Sequence, residues 1–135
     1  MIVGYFSRGG IPYVRARLYL PRLDIVGRVN FLVDTGATDT LLHPLEGSNL
    51  GIPSAELSNP VERRGIVGTR TYYGESAVIL LLDEDTWRRF DVELHTSPPQ
   101  SGSANLPSLL GRDVLNQMRM EYDYPTGRLE FAATD

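Results

Sequence analysis

Asp34-Thr35-Gly36 is the place in this 135-residue chain where residue types and spacing first suggest chemistry. Val29, Phe31 and Val33 alternate with Asn30, Leu32 and Asp34, the period of two that marks a half-buried strand. Asp34 therefore stands at a strand's end, where the chain must turn, and Gly36 permits the tight backbone that a turn demands. A carboxylate delivered to a fixed position by a strand and a glycine turn is a plausible proton acceptor for catalysis. The tripeptide alone says little, because Asp, Thr and Gly are ordinary turn residues. Its apolar flanks, Phe31-Leu32-Val33 before it and Leu41-Leu42 after it, add weight. So does a second segment, Leu109-Leu110-Gly111-Arg112-Asp113-Val114-Leu115, with two apolar residues, a glycine and a helix start.

The elements that must position these residues are mostly short strands. Val14, Ala16, Leu18 and Leu20 face one way and Tyr13, Arg15, Arg17 and Tyr19 the other, and after Pro21-Arg22-Leu23-Asp24 the strand pattern resumes from Ile25 to Asp34. The two segments predict an antiparallel hairpin. Leu41-Leu42 reads as a short strand, and His43 to Leu50 as a turn or two of helix with Pro44 at its first position. Gly51 to Pro60 reads as a loop. Val61 to Tyr73, with Gly65 and Gly68, predicts a glycine-tipped hairpin. Ser76 to Leu82 and Arg89 to His95 are two strands joined at Asp83-Glu84-Asp85. Ser97 to Ser108 is a loop, Gly111 to Met118 a short helix, and Glu121 to Phe131 a closing hairpin turned at Pro125-Thr126-Gly127. The sum is an all-β, small closed barrel-like fold with one or two short helices, in one domain over residues 1–135.

Composition narrows the functions. The net charge of −4 argues against a nucleic-acid partner, which leaves a basic footprint. With no cysteine in the chain, thiolate catalysis and cysteine-ligated metals are excluded. The longest apolar run, Ala77 to Leu82, is too short to span a bilayer, and nothing at the N-terminus has the order of a signal peptide. A soluble, cytoplasmic protein without a membrane partner is the expectation. His43 and His95 are too few and too isolated to predict a metal site, and no cofactor is expected.

At Phe31 to Leu42 and Leu109 to Leu115 the chain resembles the retropepsin-like aspartic proteases, single-lobe enzymes of retroviral type. They carry a hydrophobic run and Asp-Thr/Ser-Gly-Ala, then two apolar residues, Gly-Arg-Asn/Asp and a short helix. Between the two motifs, Gly65-Ile66-Val67-Gly68-Thr69 followed by Tyr72-Tyr73-Gly74 resembles the flap of the cellular members of DNA-damage-inducible type. The resemblance spans roughly residues 13 to 131. It implies an acid-protease fold and an aspartic endopeptidase that cuts peptides by an activated water. With one Asp-Thr-Gly per chain, the second acid must come from another copy, which implies a two-fold homodimer. Two adjacent carboxylates cannot easily both ionise, so one proton is shared between them.

The same resemblance implies roles for individual residues. Asp34, Thr35 and Gly36 form the catalytic turn, Thr35 bonding across the axis. Ala37, Ile66, Val67, Gly68 and Leu110 contact substrate, with the hairpin tip closing over the peptide. Ala37 removes a hydrogen-bond donor that a serine would supply to the carboxylates, which moves the expected pH optimum toward neutral. Gly111, Arg112 and Asp113 give structural support, with Arg112 expected to pair with Asp39, Asp113 or an acid of the second copy. The C-terminal hairpin is the expected dimer interface. Two other readings are carried. Asp34 to Thr38 also fits Asp-x-Gly-x-Thr, the first phosphate loop of sugar kinases and actin-like ATPases, although such folds need two large α/β lobes. A retropepsin-like fold can also persist as a dimerisation or peptide-binding module that cuts slowly or not at all.

Overall fold

In the computed structural model the described residues are 1–65, 68–99 and 107–134. The strands are β1 (Ile2–Val3), β2 (Tyr5–Phe6), β3 (Pro12–Leu20), β4 (Ile25–Val33), β5 (Pro60–Gly65), β6 (Gly68–Asp83), β7 (Thr86–Thr96), β8 (Ser108–Leu110), β9 (Met118–Asp123) and β10 (Arg128–Ala133). Two short helices, α1 (Pro44–Leu50) and α2 (Arg112–Leu115), complete the fold. All ten strands belong to one curled sheet, whose main path runs β8-β4-β3-β6-β1-β10-β9. The fold is all-β, as the strand pattern predicts.

The β3–β4 hairpin follows its alternation. Val14, Ala16, Leu18 and Leu20 are buried, while Arg15, Arg17 and Tyr19 are exposed. Its tip is a 3-10 turn at Pro21–Leu23, closed by Asp24 at φ 52°. Arg22 leaves this tip to bond both carboxylate oxygens of buried Glu75, at 2.7 Å for the shortest contact, which fastens the hairpin end to β6. The core gathers Phe31, Phe131, Leu18, Ile79, Leu94 and Leu110, all fully buried. Each such side chain contributes about 1.5–3 kcal/mol relative to exposure, so the sheet curls around this cluster rather than lying flat.

Some elements differ from expectation. β6 is one strand of sixteen residues that runs from the glycine hairpin to Asp83, because the ladder to β7 begins at Tyr73, where the ladder to β5 ends. Leu41 forms isolated bridges to His95 and Leu109 rather than a strand. The segment before residue 12, silent in the sequence pattern, supplies β1 and β2 as short strands against β10, β6 and β3. α2 is four residues long, and α1 starts with Pro44 at its first position and His43 as its N-cap. Among the described residues no helix is long and apolar enough to cross a membrane.

Candidate active site

The two motifs meet because β4 and β8 pair in parallel, with Phe31 beside Ser108, Leu32 beside Leu109 and Val33 beside Leu110. The ladder ends where the Asp34 N–H donates to the Leu110 carbonyl at 3.1 Å. The chain then turns, the Ala37 N–H donating to the Asp34 carbonyl at 3.2 Å. Asp34 is half-buried, and its Oδ1 accepts the Gly36 N–H at 2.9 Å. A Cβ on Gly36 would stand 3.1 Å from that oxygen. Gly36 is not among the residues with positive φ, so close approach to the carboxylate, not a left-handed backbone, is what favours glycine there. Thr35 and Gly36 are exposed.

The following loop is locked against α2. The Arg112 and Asp113 N–H groups donate to the Ala37 and Thr38 carbonyls at 2.8 and 3.2 Å, which satisfies donors that a helix start leaves unpaired. A Cβ at Gly111 would lie 2.6 Å from the Asp39 carbonyl carbon and 3.0 Å from the Ala37 oxygen, both backbone atoms. Only glycine lets the two segments approach so closely. Asp113 accepts from the Thr40 N–H at 2.9 Å and from the Thr40 hydroxyl at 2.7 Å, and Thr40 Oγ1 in turn accepts the Gly111 N–H at 3.1 Å. Thr40 is completely buried. Its importance has no sequence signal beyond its place six residues after Asp34.

Arg112 takes no carboxylate among the described residues. Its guanidinium donates to the Thr35 carbonyl at 2.8 Å and to Thr38 Oγ1 at 3.2 Å. A hydroxyl and a carbonyl thus stand where a carboxylate partner is expected for Arg112. Asp113, one of the acids expected to pair with Arg112, is engaged by Thr40, and Asp39 reaches His95 at 4.0 Å.

Ala37 and Leu110 are buried in a single copy, Leu110 completely and within the core cluster. Leu110 therefore borders the Asp34 turn through its backbone. Ile66 and Val67, expected at the hairpin tip, lie outside the described residues. Gly68 opens β6 opposite Gly65. At the root of this hairpin, Arg63 is half-buried, with Nη1 3.2 Å from His95 Nδ1. Because the His95 N–H donates to the Thr40 carbonyl at 3.0 Å, that contact joins the hairpin to the loop beyond Asp34. Among the described residues no group of three or more His, Asp or Glu side chains is placed to hold a metal ion.

A polar cluster lies behind β8. Ser108 Oγ accepts the His43 N–H at 3.0 Å and donates to Glu46 Oε1 at 3.2 Å. Glu46 Oε2 and His43 Nε2 are buried with no hydrogen-bond partner among the described residues. Burial pushes the Glu46 carboxyl above its ordinary value of 4.5, against the Ser108 hydrogen bond, which lowers it. The folded state thus binds this proton more tightly than the unfolded chain. The stability it contributes is complete below pH 4.5 and is lost as pH rises through the raised folded value. The urea midpoint of Glu46→Gln relative to wild type is therefore expected to increase from pH 4 to pH 7. A pH-independent difference would contradict the burial argument.

A family model for the retroviral aspartyl protease matches residues 12–122. Comparison with curated proteins found no match. Among solved structures, a retropepsin-like aspartic protease from Rickettsia conorii is similar at 20% identity and a TM-score of 0.65, over 97% of this chain and 88% of that one. The EIAV protease complexed with the inhibitor HBY-793 is similar at 17% identity and a TM-score of 0.52, over 82% of this chain and 90% of that one. At these identities the two likenesses establish the fold.

Proposed function

The chain belongs to the retroviral aspartyl protease family, and from that premise we propose that it is an aspartic endopeptidase whose active site forms between two copies. The observation that carries this reading is the Asp34 turn. One half-buried carboxylate, oriented by the Gly36 N–H, sits beside exposed Thr35 and Gly36 on a loop braced from behind. A single carboxylate lacks half of the required chemistry. Two Asp34 side chains about a two-fold axis supply both parts, one as the base that takes a proton from water and the other, protonated, as donor to the scissile carbonyl oxygen.

Water then adds to the carbonyl carbon, and the resulting diol collapses as the amine leaves with a proton from the dyad. No cofactor enters the step. Thr35 bonds the partner loop across the axis, and Gly36 admits the substrate backbone. The β5–β6 hairpin closes over the peptide, Ile66, Val67 and Gly68 being the residues the resemblance assigns to that contact, with Ala37 and the backbone of Leu110 bordering the cleft floor. Arg112, by holding the Thr35 carbonyl, keeps the turn in place for its partner. β9 is the terminal strand of the main sheet path, and this free edge supports the β9–β10 hairpin as the dimer contact.

Dimer formation is tested by dilution. Specific activity on an undirected peptide library is expected to fall steeply below the dimer dissociation constant. Sedimentation mass should change over the same range, from twice the 15.0 kDa chain mass toward the chain mass. Full activity in a strict monomer would overturn the proposal. Peptides held but never cut at any concentration would instead identify a binding module.

A further inference from the structure

We infer that the outer face of the β3–β4 hairpin is an exosite for an acidic segment of the peptide substrate. Arg17 and Arg28 stand directly opposite each other in the β3–β4 register, and Arg15 lies one outward position along from Arg17, opposite Asn30. All three arginines are exposed. Like charges directly opposed on a sheet are destabilising, and a chain with net charge −4 has acids enough to compensate them. Four of the acids pair with other arginines: Glu75 with Arg22, Asp83 with Arg88, Asp91 with Arg89 and Glu121 with Arg128. Among the described residues no acid pairs with Arg15, Arg17 or Arg28.

Two of these guanidinium groups are held by aromatic rings. Arg17 Cζ lies 4.4 Å from the Trp87 ring centroid and Arg15 Cζ 4.3 Å from that of Tyr5. Stacking of this kind orders the planar fork while leaving its N–H edges for a carboxylate. Arg15, Arg17, Arg28, Asn30, Leu82 and Trp87 line a groove of about 370 Å³. Leu82 and Trp87 are exposed beside the three charges. A groove of that size, with an apolar wall, fits a few side chains of an extended peptide better than a nucleic-acid backbone.

The face also leads to the proposed cleft. Leu32, Asn30 and Arg28 share one side of β4, and Leu32 stands two residues before Asp34. At the strand rise, Arg28 is about 20 Å from Asp34, a distance that roughly six extended substrate residues span. The inference rests on the endopeptidase reading for its occupant. It predicts a substrate with acidic residues, interrupted by an apolar one, about six positions from the bond that is cut.

Binding is measured on Asp34→Asn protein, so that turnover plays no part. The probe is a labelled Glu-Glu-Leu-Glu-Glu peptide, with its Gln-Gln-Leu-Gln-Gln counterpart as control. The acidic peptide is expected to bind more tightly than the control, to weaken with added salt, and to lose about tenfold in affinity when Arg15, Arg17 and Arg28 are all changed to Gln. Arg28→Gln alone, at an exposed position, gives a smaller loss and guards against misfolding of the triple variant. In the Asp34 form, a cleavable peptide carrying the acidic tail is expected to show a lower KM than its untailed form, a gap that closes in the triple variant. Equal binding by wild-type and triple-variant faces would overturn the inference. So would preference for an oligothymidylate or for phosphatidylserine vesicles over the peptide. Acidic-peptide binding without any cleavage would sink the endopeptidase reading and leave the exosite as a peptide-binding face.

Discussion

Asp34→Asn is expected to reduce peptide hydrolysis by at least ~10³-fold, the scale on which loss of an essential catalytic group is felt. The amide has nearly the shape of the acid, and its oxygen can still accept the Gly36 N–H that now reaches Asp34 Oδ1 at 2.9 Å. What it lacks is proton affinity: asparagine can neither take a proton from water nor hold one for the scissile carbonyl. In a symmetric dimer the substitution removes both acids at once. Thermal unfolding should be nearly unchanged, since the half-buried side chain makes no ion pair among the described residues. The measurement is mass-spectrometric detection of cleaved library peptides from pH 4 to pH 7, with both proteins side by side. A mixing experiment sharpens it. If every site needs two acids, an equal mixture of exchanging wild-type and variant chains should retain about a quarter of the activity of the same total wild-type protein. Undiminished hydrolysis by the variant would end the two-acid mechanism. Retention of about three quarters by the equal mixture would show that one acid per dimer suffices.

The second large effect is expected at Asp113. Its carboxylate accepts the Thr40 N–H and hydroxyl at 2.9 and 2.7 Å, and Thr40 is fully buried. Asp113→Ala removes two charge-assisted hydrogen bonds and leaves a buried N–H without its acceptor. The expected destabilisation is about 2–4 kcal/mol, from hydrogen bonds to a charged group and the desolvation of what remains. Equilibrium urea unfolding at neutral pH measures it. Activity should fall as well, because Thr40 Oγ1 accepts the Gly111 N–H at 3.1 Å and so joins the two segments that frame the Asp34 turn. Thr40→Val tests the other partner, and Thr40→Ser, which keeps the hydroxyl, should restore most of the stability. A double-mutant cycle between Asp113→Ala and Thr40→Val should show strong coupling, as expected for groups in one network. A change in stability under ~0.5 kcal/mol for Asp113→Ala, the range of an ordinary surface substitution, would show the network to be incidental.

The outer arginines bear on specificity rather than on the chemical step. Acidic residues on a substrate engage them before or while the cleft is filled, so their contribution belongs to KM. In the proposed mechanism Asp34 acts on the reacting atoms, while the Asp113 network holds the frame around it. A screen for substrates should therefore vary residues well beyond the bond that is cut.

Much of this architecture is legible in the chain. The alternation of Val14, Ala16, Leu18 and Leu20 with Arg15, Arg17 and Tyr19 places each residue on its observed face, because a strand's side chains alternate with period two. The helix begins at Pro44, where proline lacks the N–H that a first turn cannot use. The two motifs at Asp34 and Gly111 are recognisable as partners before any coordinates. Other features are not legible. The short strands β1 and β2 are too brief for a periodicity and exist only because neighbouring strands accept them. The sequence points Arg112 toward a carboxylate, and the fold instead presents a carbonyl and a hydroxyl, from Thr35 and Thr38.

The sequence by itself determined the strand-borne acid, the small all-β fold and the family to which they point, since these depend on local periodicity and on residues next to one another. Only the tertiary structure decided that Asp113 serves Thr40, that His95 meets Arg63, and that three arginines share one face with no acid among the described residues to answer them. Those outcomes depend on the parallel register of β4 with β8 and the antiparallel registers of β3 with β4 and of β6 with β7. A register is chosen by the burial of whole strand faces together, which no short window of residues contains.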